Sequence, residues 1–170
     1  MKMTSAYANK ILKQLNEDKE FWNNKEQKSC LYTAATGETP VIPEYDYAEV
    51  AVTIEEIDNK ICRIKHAINL ENATSSIEVG DRMLSADTIL IRMAQLNKRK
   101  VFLDSLRKQQ PKTRVEQHSF GARSATPEYQ YINYDLELIK QEYERITFEI
   151  MDMQMALDKY NQTHEFEVEI

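Results

Sequence analysis

The chain has 170 residues, of which 42% are hydrophobic and 29% charged, with a formal net charge of -6. That length fits one domain with a sizeable core, and that apolar share excludes a disordered chain. Only 3 Gly and 4 Pro occur, so breaks are few, long elements are favoured and an all-β sandwich is excluded.

A first helix is predicted over about 5–28, capped by Ser5, with Ala8, Ile11, Leu12, Leu15 and Trp22 on its buried side. Residues 29–34 are short and β-inclined, and the stretch through Gly37 and Pro40 breaks them. Pro43 closes a loop, because the residue before a proline avoids helical geometry. A second helix is predicted over about 46–70. Its apolar residues Val50, Ile54, Ile57, Ile61, Ile64 and Ile68 recur at gaps of 4, 3, 4, 3 and 4, a helical seam that no strand face can present. Five of the six are Ile, and β-branched residues at both seam positions tend towards assemblies larger than dimers in parallel coiled coils.

Residues 71–80 read as a polar link. A third helix is predicted over about 85–109, with Ser85 as N-cap and Asp87 in the first turn. Ile89, Met93, Leu96, Leu103 and Leu106 form its buried side, Lys100 interrupts that side, and Pro111 ends the helix. Residues 112–126 have no period and are expected to form a mobile loop. Residues 128–132 can form a short strand. A fourth helix is predicted over about 134–161, with a seam of Leu136, Ile139, Tyr143, Ile146, Ile150, Met153, Leu157 and Tyr160. The tail, 165–170, alternates charged and apolar residues, the pattern of a half-buried strand. Its expected edge is 30–34, 129–132 or a neighbouring subunit.

The expected architecture is one mainly α domain over 1–170. It is an elongated antiparallel helical bundle of coiled-coil hairpins, with short β segments at the loop and the C-terminal tail. The seams over 50–68 and 139–160 are expected to face each other. Helices on the order of 35–40 Å long carry more apolar stripe than one short partner covers, so a homo-oligomer is expected.

Charge is unevenly placed. Residues 82–114 hold nine Lys/Arg and two Asp, whereas 133–170 hold three Lys/Arg and ten Asp/Glu. An acidic chain with one basic segment is a poor general nucleic-acid binder, so no nucleic-acid partner is expected. The basic helix is expected to lie beside acidic ones, in this subunit or the next. No segment is long and apolar enough to span a bilayer, and Met1 to Ser5 lead into polar residues rather than a signal sequence. A cytoplasmic protein with Cys30 and Cys62 as free thiols follows as an expectation.

Several landmarks recur in a fixed order: Gly37-Glu38-x-Pro40, Ile68-Asn69-x-x-Asn72, Arg92-x-x-x-Leu96-x-x-Arg99-x-x-x-Leu103, Tyr131-x-x-x-Asp135 and Asn161-x-Thr163. In this order and spacing the chain resembles the septicolysin-like family of small bacterial and phage proteins over nearly its whole length. The resemblance implies an all-helical, elongated, oligomeric protein and supplies no catalytic residues. The chain departs from the family pattern in the long loop over 112–126 and in the tail after Glu165.

Asp58, Cys62 and His66 share one helical face and are metal-ligand types. They fall outside the Ile seam and lack a second ligand pair, so no metal or other cofactor is expected. Gly occurs only at 37, 80 and 121, too sparsely for a phosphate-cradling loop, and no nucleophile motif appears. The protein is therefore expected not to be an enzyme. Arg92 and Arg99, two turns apart on one face, have no acid four residues away in their own helix. Their partners come either from the acidic fourth helix or from an exogenous anion. Tyr129, Tyr131 and Tyr134 near the basic segment can build an aromatic and cationic pocket or simply pack. Asn69, Asn72 and Asn161 are expected at helix ends as caps or turns. If a ligand binds, the candidate residues are Arg92, Arg99, Tyr129, Tyr131 and Asn69. Two functions remain open: a non-enzymatic homo-oligomeric scaffold or interaction protein, and an oligomer that captures a small anion or nucleotide, as in phage sequestration of a host signalling nucleotide.

Overall fold

The computed structural model describes residues 1–115 and 127–169. Four helices dominate: α1 (Ser5–Ser29), α2 (Tyr47–Thr74), α3 (Ala86–Arg107) and α4 (Leu136–Thr163). Three two-stranded antiparallel ribbons join them: β1 (Lys2–Thr4) with β6 (Glu165–Glu167), β2 (Ile77–Val79) with β3 (Arg82–Leu84), and β4 (Lys112–Arg114) with β5 (Tyr129–Tyr131).

The helix starts follow from capping chemistry. Asp46 accepts from the backbone N–H of Ala48 and Glu49, and Asp135 accepts from Glu137 and Leu138. Each pairing satisfies donors that the first turn leaves free. For α1 the cap is Thr4, which accepts from Tyr7; Ser5, expected there, is instead buried inside the first turn. At α3 the Ser85 hydroxyl turns to Asp87, and the Ala86 N–H is met by Ser75 Oγ at 2.8 Å.

α1 packs on α2, and α3 packs on α4. The Lys19–Asp58 and Tyr45–Glu26 contacts show that the first pair runs antiparallel. The Arg92–Glu149 and Tyr134–Leu106 contacts show the same for the second. The expected facing of the α2 and α4 seams is therefore wrong. Ile57, Ile61 and Ile64 bury against Ala8 and Leu12, while Ile146, Met153 and Leu157 bury against Ile89, Leu96 and Leu103. Two seams of equal period and length are not marked by spacing as partners. Here each helix meets its chain neighbour, which is the common outcome for consecutive elements.

Of the polar link expected over 71–80, residues 71–74 belong to α2 and 77–79 are β2, the first strand of the β2–β3 ribbon. Gly80 takes φ 57° at its two-residue turn, the left-handed conformation that such hairpins ask of glycine. Ile77 and Val79 point into the α3/α4 core. Residues 30–34 form no strand. The tail strand pairs with none of its expected edges. It pairs with β1, Met3 opposite Phe166. The Met1 ammonium donates to the Val168 carbonyl at 2.7 Å. Phe166 and Val168 enter the α1/α2 core, so the tail leaving α4 docks on the opposite helix pair. Of the loop expected over 112–126, 112–114 is β4, and 116–126 lie outside the described residues.

Candidate functional site

Glu149 is the most heavily coordinated charged side chain among the described residues. It projects from α4 towards the β2–β3 turn and is only 14% exposed. Arg92 of α3 donates to its Oε1 from Nη2 at 3.3 Å and from Nε at 3.4 Å. Arg145, one turn earlier on α4, donates to Oε2 at 2.9 Å. Arg82 of β3 approaches Oε1 at 3.6 Å. Arg145 also grips Glu142 with two bonds of 2.8 Å, a fork-to-carboxylate match that sets its plane.

Burial pushes the Glu149 carboxyl up, but the Arg145 hydrogen bond and the charge and hydrogen bond of Arg92 outweigh it, so its pKa is lowered. The Arg145 hydrogen bonds chiefly hold Glu142 below the usual carboxylate range, with the nearby Arg99 charge adding to the effect. Arg145 is pushed up in turn by its bonds to Glu142 and Glu149. A groove of about 480 Å³ opens beside this cluster, between the β2–β3 turn and Arg145, Phe148 and Asp152.

Arg92 thus has an internal partner on the acidic fourth helix. Arg99 does not share it: its guanidinium lies 5.4 Å from the Phe102 ring centroid on its own helix. Tyr129 and Tyr131 sit elsewhere, on β5, beyond the C-terminal end of α3. Lys112 Nζ lies 4.0 Å from the Tyr129 ring centroid and 5.5 Å from that of Tyr131, a cation–π arrangement within one ribbon. The adjacent groove, about 510 Å³, is lined by neutral groups such as Gln109, Gln110, Gln130 and Asn133. Tyr134 is occupied, donating to the Leu106 carbonyl at 2.7 Å. Asn69 is exposed and five residues inside α2, whose C-cap is Ser75. Neither Asn69 nor Asn72 nor Asn161 terminates a helix. The five candidate ligand residues therefore do not converge on one pocket.

Asp58 is taken by Lys19, with Nζ to carboxylate distances of 2.6 and 2.7 Å. Among the described residues no group of three or more His, Cys, Asp or Glu could hold a metal ion. The sequence reading missed the junction where the two helix pairs meet. There Glu71 of α2 accepts from the Tyr160 hydroxyl and lies 3.1 Å from His164 Nε2, and His164 stacks on Tyr160 with centroids 4.5 Å apart. Burial and the Glu71 hydrogen bond raise the Tyr160 pKa. Tyr160 was visible only as a seam residue, and nothing in its spacing pointed to a carboxylate 89 positions away.

No family model and no curated protein match the chain. A crystal structure of a functionally unknown conserved protein from Corynebacterium diphtheriae is similar to it, with a TM-score of 0.61 and 15% identity, over 98% of this chain and 100% of that one. At that identity the likeness shows a shared fold. No described helix is long and apolar enough to cross a membrane.

Proposed function

We propose that the protein is a non-enzymatic, self-assembling helical scaffold, built from two antiparallel coiled-coil hairpins and belonging with septicolysin-like proteins. The observation that carries this is surface. The chain exposes 12,967 Å², against about 8,700 Å² for a compact monomer of 19.9 kDa. Large apolar side chains lie open on several elements, among them Phe21, Val41, Ile42, Val101, Phe148 and Met155. Large apolar side chains left open on the described surface support association. Arg92 is matched by Glu149, which removes the motive for an exogenous anion there and leaves the nucleotide-binding alternative without a converged site. Cys30 and Cys62 are both free and exposed, which fits a reducing cytoplasm.

Light scattering at micromolar concentration tests this. The expected result is a particle of two or more chains; a 19.9 kDa particle would refute self-assembly.

A further inference from the structure

α4 carries a second apolar stripe that the described residues leave exposed. Phe148, Met151 and Met155 are 60%, 47% and 65% exposed and follow the 3, 4 spacing of one helical face. At about 100° per residue that face lies opposite the one that buries Ile146, Met153 and Leu157 against α3. Glu144 stands at one end of the stripe and Lys159 at the other; both are exposed, and neither enters an ion pair among the described residues.

We infer that this outer face of α4 is the seat of a second copy of the chain, packed antiparallel on the same face about a two-fold axis beside Met151. The inference rests on the self-assembly proposed above and locates its contact. The charge order selects the arrangement. An axis that sets Phe148 opposite the partner's Met155 also sets Glu144 opposite the partner's Lys159. Every such contact occurs twice, as an isologous interface requires. A parallel packing would place Glu144 beside its own copy, which costs energy. Phe148 facing a methionine thioether is a favourable sulfur–aromatic contact.

Three variants test the contact. In a Cys30→Ser, Cys62→Ser background, Met151→Cys crosslinks into a covalent dimer under mild oxidation. Phe148→Glu with Met155→Glu raises the dissociation constant by roughly tenfold or more at unchanged helicity, because neither side chain is in the core. Glu144→Lys weakens assembly and adding Lys159→Glu restores it, since the swap preserves the pairing. If the wild-type protein assembles but Met151→Cys does not crosslink and the double glutamate variant keeps its mass, this interface is wrong while self-assembly stands. A monomeric wild-type protein overturns both.

Discussion

α3 is buried along its whole length, at Ala86, Ile89, Leu96 and Leu103, whereas the buried residues of α1 stop at Leu12. The α3/α4 core takes its extra members from β2, next to α3 in the chain; the α1/α2 core takes Met3, Phe166 and Val168 from the two ends of the chain. The second pair is also cross-linked by charge, through Arg92 and Arg82 on Glu149. The first has Lys19–Asp58, whose side chains are 33% and 46% exposed; a pair that open contributes little. The difference teaches that α3/α4 holds itself together from neighbouring sequence. α1/α2 depends on a tail delivered from the far end of the chain, and α1 itself buries no residue fully beyond Leu12, although Val50 and Ile57 of α2 are buried, so the outer half of α1 is the part least held against opening.

The largest expected effect breaks that dependence. Phe166→Ala removes a buried aromatic that ties the tail to α1 and α2 and should cost about 3–5 kcal/mol. The loss should appear as a lower denaturant midpoint, with amide protection falling in α1 and α2 more than in α3 and α4. Equal loss in both pairs would mean that the two cores are one cooperative unit.

A smaller effect sharpens the other side. Glu149 and Glu142 have pKa values lowered in the folded protein from the ordinary value of 4.5. Their stabilisation is present above pH 4.5 and is lost as pH falls through the lowered folded values. Glu149→Gln should cost about 1 kcal/mol at neutral pH, discounted for water around the half-exposed arginines. It should also reduce the loss of stability between pH 4.5 and lower pH. Urea midpoints of variant and wild type at neutral and acid pH check this; parallel pH profiles would show that the ion cluster adds nothing.

How much of this was open to reading from the chain depends on range. The four helices were legible because a 3, 4 rhythm of apolar residues is a local property, and Asp46 and Asp135 announce starts by short-range capping. Partner choice was not. Nothing in the spacing of Ile61 says whether it buries against α4 or against α1, which it meets here. That ribbon was passed over because Ile77 and Val79 are two apolar residues in a short stretch, below the length at which alternation speaks. The tail's alternation was legible, its edge was not: β1 is three residues long and reads as the lead-in to a helix. For the candidate site, the want of an acid four residues away in the third helix left Arg92 looking for a partner outside its own helix. Glu149 as that partner, with Arg82 and Arg145 converging on it, needed the register between α3 and α4, which no spacing contains. Tyr129 and Tyr131 lie beside a cation of the basic segment, but it is Lys112 of their own ribbon, not Arg92 or Arg99.

Amide hydrogen exchange of the wild-type protein at assembling concentration bears most directly on the contrast between an assembled α3/α4 pair and an open-ended α1/α2 pair. The slowest exchange should fall in α4 across 144–159, where one face packs on α3 and the other carries the proposed contact with a second copy. The fastest helical exchange should fall in the outer half of α1, across 16–29. Uniform protection over the four helices, or slower exchange in the outer half of α1 than in the middle of α4, would contradict the account.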